Sequence, residues 1–194
     1  FLVKTIYSAL LTLLFLFFGD YPFEPTNLTL VAGTTIGIPS FLLALEPNNE
    51  RISGRFLHNA IKKSLPGALT IVISIALLQI VKLFVPVTSE ELSMVSIILL
   101  AAGAFSVLFR VCLPLDVKHA VIFFGMIIFF FLGWGIMPKL FAVTPITEIT
   151  KNMLYLSLPL IAVTVPILVF MTWSLNKFFF KKEIKFLNRL NLEQ

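Results

Sequence analysis

Six long runs of apolar residues, separated by short stretches holding Pro, Gly and charge, organise the chain. They cover 2–18, 28–45, 65–85, 92–113, 120–137 and 153–175. A helix needs about 20 residues to cross roughly 30 Å of hydrocarbon, and each run approaches that length. The pattern predicts an all-α integral membrane protein, a six-transmembrane-helix bundle forming a single transmembrane domain over 1–194. The connections predict turns: Gly19 to Pro25 on one side, the acidic Thr88 to Glu91 later on that side, and Pro114 to His119 on the other. The loop of 50–64 is the longest connection. Its Ile52, Phe56, Leu57 and Ile61 recur at helical spacing opposite Arg51, Arg55, Lys62 and Lys63, which predicts a helix lying on the membrane surface or docking on a partner domain. Pro66-Gly67 then opens the third span.

Composition agrees. Hydrophobic residues make up 58% and charged residues 13% of the chain, with a mean hydropathy of +0.99, against about 45–50% and 25% in soluble domains. The net charge of +5 does not imply a nucleic-acid partner, because the basic residues sit at span ends rather than in an aromatic-interleaved patch. They report orientation instead. If the first span starts in the cytoplasm, twelve of the fifteen Lys and Arg fall on that side, leaving only Lys82, Lys139 and Lys151 outside. By the positive-inside rule both termini are expected on the cytoplasmic side of the cell membrane. The lone Cys112 excludes a disulfide framework within the chain.

The second run is interrupted at its centre by Gly33-Thr34-Thr35-Ile36-Gly37-Ile38-Pro39. Two glycines weaken a helix, and a proline removes a donor and frees a carbonyl about one turn earlier, near Thr35. In lipid such a break is tolerated only beside protein, water or a bound ion, so the second span is expected to be unwound or kinked between Gly33 and Pro39. Thr34, Thr35 and Ser40 offer hydroxyl oxygens for a hard cation; the plainer alternative is that these hydroxyls bond back to their own helix. Tyr7, Ser8 and Thr12 of the first span are candidates to face the break. No Asp or Glu falls inside any run, so neutral oxygens, plus carboxylates from elsewhere, have to serve a cation.

Other polar residues read as structure. Ser74, Gln79, Ser157 and Thr164 suit interhelical hydrogen bonds, and Ala101-Ala102-Gly103-Ala104 suits close helix packing. Trp134 fits the outer interface; Trp173 and the basic tail after it fit the cytoplasmic one. Pro159 and Pro166 predict kinks in the last span. His58 and His119 have no second ligand nearby in sequence. No catalytic triad, phosphate-binding glycine loop or zinc spacing is present.

The broken run resembles the sixth transmembrane helix of P-type cation-transporting ATPases, whose calcium pumps carry N-x-x-T-D-G-x-P and, six residues later, F-N-P. The corresponding residues are Ala32, Thr35, Ile36, Gly37 and Pro39, then Leu45, Glu46 and Pro47. FLVKTIYSALL looks like the cytoplasmic start of the fifth helix, and four further spans complete the order expected for helices five to ten. The family's ion-binding Asn and Asp fall on Ala32 and Ile36, which cannot coordinate through their side chains. TIGIPSFLLALEPN resembles a bacterial branch, some of it linked to calcium, which makes calcium the first expected cation and magnesium or another the second. The resemblance implies a fragment of a larger pump that uses ATP and Mg2+. Its partners are then the lipid bilayer and the pump's own N-terminal helices and phosphorylation, nucleotide-binding and actuator domains. The family's DKTGT motif does not occur here, so this stretch has no cofactor of its own and is expected not to hydrolyse ATP. The first span and the loop containing Glu50, Arg51 and Arg55 would couple it to those domains. A self-contained secondary transporter or channel, or a non-catalytic membrane subunit, are the alternatives.

Overall fold

The structure is a computed structural model that describes residues 2–19, 21–45 and 56–190; side chains are described for these except 56–59 and 178–190. The described residues form α1 (Leu2–Phe18), α2 (Pro25–Ala32), a five-residue π-helical turn (Gly33–Gly37), α3 (Ile38–Ala44), α4 (Phe56–Lys82), α5 (Ser89–Val111), α6 (Val117–Ile136) and α7 (Lys151–Leu190). A short 3-10 turn, Ile146–Glu148, precedes α7. Among the described residues five stretches are long and apolar enough to cross a membrane: Pro25–Ala44, Ala60–Lys82, Ser89–Val111, Val117–Ile136 and Lys151–Lys177. At 17 residues, α1 lies at the lower end of spanning lengths.

Local chemistry sets the helix ends. Gly19 follows α1 at φ +91°, a left-handed conformation that glycine adopts without Cβ strain, and its N–H closes on the Phe15 carbonyl at 3.0 Å. Pro25 opens α2 from an extended Glu24, where its missing N–H costs nothing. At the start of α5, Thr88 and Glu91 form a reciprocal capping box: the Glu91 N–H donates to Thr88 Oγ1 (3.3 Å) and the Thr88 N–H to Glu91 Oε2 (3.1 Å). The acidic turn noticed in the sequence is therefore a helix start.

Lipid offers no hydrophobic drive for helices to pair, so close packing has to come from shape. At the centre α4 packs on α1, α5 and α7, and α5 packs in turn on α7, α6 and the broken span. Glycines bring α4 and α5 together. A Cβ placed on Gly103 would meet Ile71 Cγ1 at 2.7 Å, and one on Gly67 would collide with Val107. The small stretch Ala101 to Ala104 is thus a packing seam, as expected. Ser74 Oγ and Thr164 Oγ1 lie 3.2 Å apart between α4 and α7, which bears out their reading as interhelical partners. Most of α6 and α7 faces outward with large apolar side chains such as Val121, Ile128, Leu158 and Phe170, the surface that lipid covers.

Two expectations are corrected, and a third gains detail. Residues 56–64 are not a separate surface helix: they run without a break into α4, and Pro66 lies inside that helix instead of opening it. Proline removes one donor, but a helix anchored on both sides by packing tolerates it. Trp134 lies two residues from the end of α6 and packs inside the bundle. It is buried against Phe130 and Phe131, and its indole N–H donates to the Thr144 carbonyl at 2.8 Å, tying the loop after α6 to the bundle. Gln79 does not find the interhelical partner foreseen for it: its Nε2 is buried and has no hydrogen-bond partner among the described residues. The last helix runs through Pro159 and Pro166 and on through the basic tail to Leu190.

Candidate functional site

The break in the second span is a shift of hydrogen-bonding register, and the backbone does not unwind. Gly33, Gly37 and Ile38 keep right-handed helical angles, and the Ile38 N–H donates to the Gly33 carbonyl, five residues back. Pro39 follows immediately and has no N–H, so the next donor, which would serve Thr34 or Thr35, is missing. A π-turn of this kind leaves backbone oxygen under-used within an otherwise closed helix. The glycines are needed for weak helix propensity and not for unusual angles.

A cavity of about 100 Å³ lies against this turn. It is lined by Val3 and Tyr7 of α1, by Thr35, Ile36, Pro39, Ser40 and Leu43 of the broken span, and by Ala104, Val107, Leu108 and Val111 of α5. The structure therefore gathers Thr35, Ser40, Pro39 and Tyr7 at one place. Thr34 is buried but does not line the cavity; its hydroxyl bonds back to the carbonyls of Leu30 (2.9 Å) and Val31 (3.2 Å). Ser8 does not line it either, and its carbonyl accepts from Thr12 Oγ1 at 2.9 Å. The hydroxyl of Thr35 also bonds back, donating to the Val31 carbonyl at 2.6 Å. A hydroxyl whose proton is directed into a hydrogen bond turns its lone pairs to other neighbours, the orientation that a cation requires. Gly33 and Gly37 shape the turn; Glu50, Arg51 and Arg55 of the coupling loop lie outside the described residues.

The α5 wall was not foreseen as part of the site. Its only trace in the sequence is the run of small residues, of which Ala104 faces the cavity while Gly103 meets α4. Asn27, near the start of α2, also went unnoticed: it is 1% exposed and both its side-chain amide atoms lack a hydrogen-bond partner among the described residues. No group of three or more His, Cys, Asp or Glu side chains converges among the described residues. The cavity is thus a largely apolar pocket without charge that bears a few oxygens, fewer than the roughly six or more that hard cations take.

In sequence the chain is similar to the Calcium-transporting ATPase CtpE of Mycolicibacterium smegmatis, 40% identical over 82 residues, which is 37% of this chain and 10% of that protein. The Calcium-transporting ATPase CtpE of Mycobacterium bovis is 39% identical over 85 residues, again 37% and 10%. The similarity to Probable cation-transporting ATPase exp7 of Streptococcus pneumoniae is lower, 26%, but extends over 163 residues, 79% of the chain and 21% of that protein. The chain spans about a tenth to a fifth of the length of these curated relatives. No family profile matches it, and no solved structure does. The described residues thus form a helical bundle whose long apolar helices suit a membrane, and over partial stretches the chain is similar to bacterial cation-transporting ATPases.

Proposed function

We propose that this chain is the carboxy-terminal membrane part of an ATP-driven cation pump and that the cavity beside the π-turn is a section of its ion path. The observation that carries the reading is the convergence of Thr35, Ser40 and Tyr7 on a small cavity at a point where Pro39 removes a backbone donor. Thr35 and Ser40 supply hydroxyl oxygens, Tyr7 a phenolic oxygen, and the turn one or more carbonyls, all neutral. The remaining ligands and the positive work of transport come from the rest of the pump, where ATP and Mg2+ act. Calcium is the first cation proposed, on the names of the two CtpE proteins, with magnesium or another cation second. Both termini are placed in the cytoplasm of a bacterial cell, on the Lys and Arg distribution.

Thr35→Val in the intact pump tests this, because it removes an oxygen and nearly keeps shape. Losing one neutral ligand interaction of about 0.5–1.5 kcal/mol raises the cation concentration for half-maximal ATP hydrolysis about two- to tenfold. Thr29→Val is the control: its hydroxyl bonds back to the Pro25 carbonyl at 2.8 Å in the same manner, away from the cavity. Unchanged cation dependence in Thr35→Val, with normal expression, refutes a role for the cavity in ion binding.

A further inference from the structure

At the end of the bundle where α5 stops and α4 begins, a second and larger cleft opens between α5, α6 and α7. It measures about 740 Å³, within the roughly 300–1,000 Å³ of ligand clefts. Its walls are apolar along most of their length, with Phe105, Phe109, Phe123, Val165 and Leu168 among them. Its polar residues are Arg110, Thr172 and Asn176, beside Ser106 and the indole of Trp173. Trp173 and Asn176 also line the adjoining surface pocket, together with Lys62 of α4 and Lys177. Three cationic side chains from three helices therefore gather at one end of one apolar groove.

Among the described residues no carboxylate neutralises these cations. Arg110 donates from Nη1 to the uncharged Thr172 hydroxyl at 2.6 Å, which leaves four of its five N–H donors for another partner. The Lys177 ammonium lies 5.1 Å from the centre of the Trp173 ring. Among the described residues none of the three forms an ion pair, and Asp116, at the same end, lines neither the cleft nor its mouth. We propose that this cleft binds an anionic phospholipid, its phosphate held by Arg110, Lys62 and Lys177 and an acyl chain laid along the phenylalanine-lined wall. A soluble anion would satisfy the mouth and leave the apolar length unfilled. A zwitterionic lipid would bring its own cation against three others. Basic pockets between spans at a membrane surface are suited to anionic headgroups for this reason.

The chain has two tryptophans, and only Trp173 lines the cleft, so a Trp134→Phe background reports on it alone. The chain is reconstituted in vesicles mixing phosphatidylcholine with phosphatidylglycerol, one or the other brominated, and quenching of Trp173 is measured. Binding is expected to favour phosphatidylglycerol at least about threefold, with the preference falling towards unity in Lys62→Gln/Lys177→Gln and in Arg110→Gln. Inorganic phosphate at millimolar concentration is expected not to reverse it. Lys62 and Lys177 donate no hydrogen bond to a side chain or backbone group among the described residues, so their double variant keeps the test open if Arg110→Gln fails to fold; the phosphatidylglycerol enrichment in lipid that co-purifies with the unaltered chain gives a second reading. Equal quenching by the two lipids, a preference that survives the charge removals, or displacement by inorganic phosphate would each overturn the proposal.

Discussion

The Thr35 hydroxyl donates to the Val31 carbonyl across 2.6 Å while Thr35 itself lines the cavity between α1, the π-turn and α5. The bond fixes the hydroxyl proton on the helix, and the lone pairs stay available. Back-bonding to the helix and coordination of a cation, alternatives when only the sequence is in view, are thus compatible at this residue. For Thr34, which makes the same type of bond but does not line the cavity, they are not combined.

Tyr7→Phe in the intact pump removes only the phenolic oxygen from a residue that is 2% exposed. Cation activation of ATP hydrolysis is expected to weaken by about two- to tenfold, the size of one neutral interaction, with little change in maximal rate. Ser8→Ala, on the same helix but off the cavity, is expected to leave the activation curve in place.

Pro39→Ala restores an N–H where the ladder lacks one. The π-turn is then expected to relax towards α-helix, raising the thermal midpoint in detergent while weakening cation activation, the exchange expected when an irregular segment that serves function is made regular. A lower midpoint with unaltered cation dependence would show the turn to be structural only.

Gly103→Leu places a side chain where even a Cβ would come within 2.7 Å of Ile71. Forcing α4 and α5 apart is expected to cost about 1–3 kcal/mol and to lower the thermal midpoint. Ile71→Ala, made in the same chain, is expected to recover part of that loss, whereas the same Leu at Gly125, where a Cβ meets nothing within 4 Å, is expected to be mild.

Single cysteines at Glu90 and Lys118, in a Cys112→Ser background, test the topology. Glu90 lies at the start of α5 and Lys118 at the start of α6, at opposite ends of adjacent spans. A membrane-impermeant thiol reagent added outside whole cells is expected to label position 90 and spare position 118. The reverse result would invert the proposed orientation, and labelling of both would remove the span between them.

Much of the architecture was legible because lipid makes one-dimensional demands. An apolar run must be long enough to cross, and its backbone must bond within itself, so the first run coincides with α1 and each later one overlaps one helical span, although α4 starts nine residues before its run and α7 ends fifteen after its own. The location of the break was legible for the same reason: Gly33, Gly37 and Pro39 affect local hydrogen bonding wherever the span is packed. The form of the break was not, since a π-turn and an unwound segment place similar demands on residue type and differ only in how neighbouring helices hold the ladder. Tertiary packing likewise selected Tyr7 over Ser8 and Thr35 over Thr34, residues one position apart whose facing depends on helix rotation about α5. It carried α4 straight through Pro66, buried Trp134 under the Thr144 carbonyl, and brought Lys62, Arg110 and Lys177 from three helices to one cleft. The sequence by itself determined which segments enter the membrane and where their hydrogen bonding weakens; which oxygens and charges meet was decided only when the helices packed, because rotation and crossing of helices depend on contacts between segments distant along the chain.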